Sequence, residues 1–195
     1  TGMGRTVYRC DGVDKWIRMD YGIRDEDLEG DDSGFNSIDG HGEDELVAVG
    51  WNGEIWEMIG SQWTRVDSPT NLTFNKVLCL PDRKTVACGQ HGVLVVNNGF
   101  GWRLVEHNVT SDDFWGLAWF KGSIYLSTLN GIYRWDDTGI FKISILSADP
   151  EQKIEIQPNI SFFRLHTDGN VLWSIGRKMS IYTTDGLRWV EPPYR

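Results

Sequence analysis

Short apolar and half-apolar runs alternate along this chain, and each is closed by glycine, asparagine or aspartate. Leu46-Val47-Ala48-Val49, Val86-Ala87-Cys88, Ile124-Tyr125-Leu126 and Val171-Leu172-Trp173 are continuous apolar runs. Runs this short read as strands buried on both faces, whereas the runs after them carry a polar residue at alternate positions and read as half-buried strands. No window of a dozen residues holds a helical period, so the pattern predicts an all-β protein. Strands are predicted at 35–39, 45–49, 54–58 and 62–66, with Gly50-Trp51-Asn52-Gly53 as the central turn. The order repeats at 75–80, 84–88, 93–97 and 102–105 around Gly89-Gln90-His91-Gly92. It repeats again at 114–119, 123–127, 132–135 and 140–143 around Thr128-Leu129-Asn130-Gly131, and at 162–167, 171–175, 180–183 and 187–190. Glycine and asparagine recur in these turns because tight hairpins need residues that tolerate positive φ.

An aromatic residue closes each unit. Trp16, Trp63, Trp102, Phe141 and Trp189 are spaced by 47, 39, 39 and 48 residues. Four antiparallel strands in such a period match a blade of a β-propeller, where each sheet buries its faces only against its neighbours. The predicted fold is therefore a β-propeller of four-stranded antiparallel blades, four full and one half. A half blade occupies 4–19 and full blades occupy 35–67, 75–106, 113–144 and 161–191, within one domain over 1–195. The half blade begins at its third strand. An unclosed ring leaves unpaired strand edges, so the count favours a piece of a longer propeller. The five closing aromatics are expected in the core.

Asn97-Asn98-Gly99-Phe100-Gly101-Trp102 resembles the Asp-box of sialidase-type propellers, with Val95 where that motif has serine or threonine. Thr183, Asp185, Gly186 and Trp189 resemble the same box shortened by one residue. The glycine-bounded turn before each box also resembles the photosystem II assembly-factor propellers. The first resemblance implies glycan binding or glycoside hydrolysis as an alternative function, and the second implies a non-enzymatic scaffold.

Composition narrows this choice. The chain has 195 residues, a formal net charge of −9 and 40% hydrophobic residues, including ten tryptophans. An acidic chain is a poor ligand for phosphate backbones, so no nucleic-acid partner is expected. No apolar stretch is long enough for a helical membrane span. Only three cysteines occur, Cys10, Cys79 and Cys88. Such a number points to reduced thiols in a cytoplasmic protein, although Cys79 and Cys88 fall on neighbouring predicted strands where a bond is conceivable. His41, His91, His107 and His166 have no metal-ligand spacing, and no nucleophile elbow or phosphate loop appears. Neither an enzyme nor a metal or other cofactor is expected.

Connectors from strand four to the next strand one should emerge at the same end of a propeller as the turns between strands two and three. Residues 20–34 carry Asp20, Asp25, Glu26, Asp27, Glu29, Asp31 and Asp32 against one base, Arg24. Residues 144–160 add Asp149, Glu151 and Glu155 against Lys153, a third connector adds Glu106, Asp112 and Asp113, and the turns add Trp51, His91, Leu129 and Arg177. An acidic rim around an aromatic anchor is a pattern of protein interfaces. The candidate partner-binding residues are Asp25, Asp27, Glu29, Asp31, Asp32, Trp51, His91, Asp112 and Asp113. The expected partner is a protein with a basic patch, and one concrete version is a bacterial toxin held by an immunity protein.

Overall fold

Glycine-bounded turns divide the chain into short antiparallel strands. In the computed structural model, residues 1–23, 33–147 and 161–192 are described. They form two compact units, Thr1–Glu106 and His107–Arg195. Among the described residues the only helical segments are single 3₁₀ turns at Trp51–Gly53 and Gln90–Gly92.

The first unit holds three sheets. Strands β1 (Tyr8–Gly12) and β2 (Lys15–Arg18) make a two-stranded hairpin. Strands β3 (Phe35–Gly42), β4 (Glu45–Gly50), β5 (Ile55–Ile59) and β6 (Gln62–Arg65) form an antiparallel meander in chain order. So do β7 (Phe74–Cys79), β8 (Thr85–Gly89), β9 (Leu94–Asn97) and β10 (Trp102–Leu104). The apolar second strands are the deepest, as their composition requires: β8 is buried throughout. Side chains of β3 reach the backbone of β7 along its length. Asn36 Nδ2 donates to the Phe74 carbonyl at 2.8 Å, Ser37 Oγ accepts from the Val77 amide at 3.2 Å, and Asp39 Oδ2 accepts from the Cys79 amide at 2.8 Å.

The second unit begins with the meander β11 (Gly116–Phe120), β12 (Ser123–Ser127), β13 (Ile132–Asp136) and β14 (Gly139–Lys142). A two-residue strand, β15 (Leu146–Ser147), follows. Strands β16 (Arg164–Thr167), β17 (Leu172–Ile175) and β18 (Ser180–Thr183) make a three-stranded sheet. Strand β19 (Arg188–Trp189) joins it through a bridge between Tyr182 and Val190. The expected fourth strand is thus held loosely by its own sheet, and β15 pairs with it in parallel. The connector leaving one meander thereby covers the outer edge of the next, which would otherwise present an unpaired ladder. The first strands of the last two repeats start at Gly116 and Arg164, two residues later than the apolar pattern suggests. Phe114 and Phe162 are still buried, packing as lead-in residues.

Three of the closing aromatics wedge sheets together. Trp63 packs with Val7, Ile23 and Phe35, and its Nε1 donates to the Met19 carbonyl at 2.8 Å. Trp102 packs against Val49 and Ile55 of the preceding sheet and donates to Glu57 Oε1 at 3.0 Å. Trp189 is fully buried among Phe120, Tyr125 and Ile132. Phe141 is half-buried under the Arg134 guanidinium, 4.9 Å from its ring centroid. Trp16 departs from the expectation: it is 63% exposed. It lies on a hairpin of two strands whose residues are mostly exposed, so no buried face exists for the indole to enter.

The cysteines are free thiols. Cys88 stands opposite Lys76 and Cys79 opposite Thr85. Three positions along a strand of period two put the two sulfurs on opposite faces, which excludes a bond between them. Burial pushes the Cys79 thiol up to about 11, with the Asp39 carboxylate adding to the effect. Burial raises Cys88 further. Neither is a ready thiolate at neutral pH.

Candidate functional site

Within each unit the connectors into strand one meet the turns between strands two and three. The Trp51 amide donates to the Gly34 carbonyl at 3.1 Å. The Gln90 amide donates to the Thr73 carbonyl at 3.0 Å, while Gln90 Oε1 accepts from the Thr73 amide at 3.2 Å. A Cβ on Gly89 would collide with that same Thr73 carbonyl, which is why the turn begins with glycine. In the second unit Asn130 Nδ2 donates to Asp112 Oδ2 at 3.0 Å, and the Arg177 amide donates to Ser161 Oγ at 2.9 Å. Each unit therefore has one end at which turn and connector side chains collect.

At this end of the first unit, Trp51 is half-buried and its Nε1 donates to Asn36 Oδ1 at 3.1 Å. His91 is exposed and sits in the left-handed region at φ 53°, matched by Asn52 at φ 52° in the other turn. The acidic residues Asp25, Asp27, Glu29, Asp31 and Asp32 lie outside the described residues. Asp20, counted with them by sequence, belongs elsewhere. It is fully buried, accepts the Arg18 guanidinium, and receives the Val7 amide at 3.4 Å. A carboxylate this buried is tolerated because it is paired. In the second unit Asp112 and Asp113 are half-buried on the connector, and Asp112 is occupied by Asn130. Asp149, Glu151 and Glu155 lie outside the described residues.

At the second unit's end the turn residues Leu129 and Arg177, expected there from sequence, join a groove that the sequence did not announce. Leu129, Asn130, Ser161, Phe163, Arg164, Ile175, Gly176 and Arg177 line a groove of about 800 Å³. Leu129 and Ile175 are 45% and 46% exposed on its flanks. The Phe163 ring lies 5.0 Å from that of Trp115 and under the Arg164 guanidinium at 5.5 Å. Several other arginines are committed to carboxylates. Arg5 grips the buried Glu54 with two bonds at 2.6 and 3.0 Å, Arg83 meets Glu45 at 2.6 Å, and Arg134 meets Asp136 at 3.0 Å. Among the described residues Arg164 and Arg177 are in no ion pair. Among the described residues the groove lining contains no carboxylate, tyrosine or cysteine. No group of three metal-ligating side chains is found among the described residues. No described helix is long and apolar enough to cross a membrane.

The two box-like turns place their polar residues as caps. Asn97 Oδ1 accepts from the Gly99 amide at 2.9 Å, and its Nδ2 donates to Glu57 at 3.2 Å. Asp185 Oδ1 accepts from the Leu187 and Arg188 amides, each at 2.8 Å, and these bonds hold its carboxyl below the usual carboxylate range. Thr183 Oγ1 accepts from the Gly186 amide at 2.9 Å and donates to Asp185. These residues are turn builders, and Asn97 and Gly99 also line a groove of about 560 Å³ with His41, Glu57 and Thr85.

Comparison with known proteins separates fold from function. No family model matches the chain. The computationally designed Ika4 protein superimposes with a TM-score of 0.56 at 16% identity, covering 80% of this chain and 94% of that one. The WD40 β-propeller domain of Doa1 gives 0.60 at 11% identity, covering 84% and 55% of the two chains. YCF48 bound to D1 peptide gives 0.59 at 15% identity, covering 91% and 56%. At such identities the likeness carries the fold alone, and with the four-stranded antiparallel sheets it makes this chain a β-propeller. A curated relative, Immune protein Tsi7 of Pseudomonas aeruginosa, is 34% identical over 190 residues, 97% of this chain. The chain spans 59% of that relative's length.

Proposed function

We propose that this chain is the propeller part of an immunity protein, which binds and silences a protein toxin without catalysing a reaction itself. The observation that carries this reading is the 34% identity to Immune protein Tsi7 across 97% of the chain. The all-β scaffold supports it, because propellers present loops for binding on a rigid frame. Toxin contact is assigned to the acidic residues Asp25, Asp27, Glu29, Asp31 and Asp32, to Trp51 and His91 on the turns of the first unit, and to Asp112 and Asp113 on a connector of the second. The net charge of −9 attracts a basic toxin surface and speeds encounter.

The test has two steps. A protein captured by the native chain should stop growth of a host when expressed alone and should be harmless when co-expressed with this chain. Captured proteins that are harmless alone would refute the immunity assignment. With the toxin in hand, joint replacement of Asp25, Asp27, Asp31 and Asp32 by Asn should slow association about tenfold at low salt and flatten its salt dependence. An unchanged rate would move the interface to another face while leaving the immunity role standing.

A further inference from the structure

The groove of the second unit is basic and apolar on a chain whose overall charge is −9. We infer that it is a docking site for an extended protein segment carrying an apolar side chain flanked by carboxylates. This inference stands apart from the immunity reading, since the acidic loops favour a basic surface and the groove favours the opposite charge.

Three observations select this occupant. The first is charge. Arg164 begins β16 and Arg177 follows β17, and the pairing of Arg164 with Ile175 brings the two together at one end of the sheet. Both are exposed and neither meets a carboxylate among the described residues. Guanidinium groups form bidentate, charge-assisted bonds with carboxylates. At physiological salt, charges beyond about 8 Å are screened. The one carboxylate described beside the lining, Asp112, is engaged by Asn130 at 3.0 Å, so the two local arginines outweigh it for a ligand seated in the groove. The second is the apolar floor. Phe163, backed by Trp115, shares the lining with the half-exposed Leu129 and Ile175, a surface that gains by being covered. The third is size. A groove of about 800 Å³ takes several side chains, where a lone carboxylate or one sugar ring would leave most of it wet. Phe163 and Arg164 already stack, so the arginine is held over the ring and loses little freedom when a carboxylate arrives.

The experiment is a peptide array probed with the full chain. Nonapeptides centred on Leu, Ile, Phe or Trp are spotted with Asp/Glu, Gln/Ser or Lys/Arg flanks, and hits are titrated by fluorescence anisotropy. Acid-flanked peptides should bind at least tenfold more tightly than their base-flanked counterparts, and replacing the central residue with Ala should cost a further several-fold. The double change Arg164→Glu with Arg177→Glu should reverse the preference toward base-flanked peptides. Leu129→Asp with Ile175→Asp should weaken every apolar-centred peptide while leaving unfolding unchanged, because both side chains are half-exposed. Three results would overturn the inference: no class enriched, a preference untouched by charge reversal, or 3′-sialyllactose displacing the bound peptide at lower concentration than free glutamate does. Toxin neutralisation plays no part in these readouts, so failure here leaves the immunity role untouched.

Discussion

The turn at 90–92 and the turn at 128–131 hold the same place between second and third strands, one in each unit, yet they solve it differently. In the first, Gly89 lets the backbone press onto the Thr73 carbonyl, and Gln90 completes the join through both its amide and its side chain. The turn is consumed by packing. In the second, the buried Thr128 stands where the first has Gly89 or Gln90, and its hydroxyl accepts from the Asn130 amide at 3.0 Å. Leu129 is then free to project into the groove beside Phe163. The turn capped by its own side chain turns Leu129 toward the groove, whereas the turn joined to its connector leaves His91 exposed at its tip.

The largest effect should come from testing that contrast with alanine. Gly89→Ala places a methyl group where the Thr73 carbonyl stands, so backbone must move, at a cost of roughly 3 kcal/mol. Gly131→Ala meets only the end of the Lys142 side chain, which can swing away, and should cost less than about 1 kcal/mol. Urea unfolding of the two variants measures the gap. Equal losses would mean that the two turns are packed alike and that the groove is shallower than the geometry indicates.

A smaller difference separates the wedging indoles. Trp102 donates to Glu57 across sheets, whereas Trp189, although fully buried, has no hydrogen-bond partner for its Nε1 among the described residues. Trp102→Phe and Trp189→Phe remove similar volume. The first also strips Glu57 of a donor, leaving Asn97 at 3.2 Å as its remaining partner. Trp102→Phe should therefore be the more costly by about 1 kcal/mol in the same denaturation assay. If Trp189→Phe costs as much or more, the Trp102–Glu57 bond adds nothing to packing.

The same contrasts mark what sequence could convey. Strand order, turn glycines and the indole repeat follow from local chemistry, because hairpins demand positive φ and buried strands demand apolar runs. Side-chain parity did not come through: Cys79 and Cys88 sit on neighbouring strands but on opposite faces, and only the register decides that. Asp20 looked like one more loop acid until Arg18 and the Val7 amide were found around it. Arg164 and Arg177 are thirteen positions apart, on a strand and on a turn, with nothing nearby to flag them as a pair. They line one groove because the β16–β17 ladder pairs Ile175 with Arg164. A site assembled by a hairpin register is invisible to a motif search, which sees only spacing along the chain.

The smallest effect concerns the two box-like caps, which look alike but differ in charge. Asp185 binds the Leu187 and Arg188 amides as a carboxylate, while Asn97 binds the Gly99 amide as a neutral amide. The carboxyl of Asp185 is held below its ordinary range in the fold, so protons bind the unfolded chain more readily than the folded one. Its contribution is complete above the unfolded value, about 4, and fades as pH falls through the folded value. Asp185→Asn keeps an acceptor oxygen but cannot titrate. The variant should be slightly less stable than the parent at pH 7, and the two should converge as pH drops from 5 toward 3. Asp136 and Asp168 are also held low, by Thr138 and by the Val171 and Asn170 amides, and both remain in the variant, so a residual acid sensitivity is expected. The convergence between parent and variant is the informative quantity. A gap that stays constant across this range would show that the Asp185 cap works by shape alone, as the Asn97 cap must.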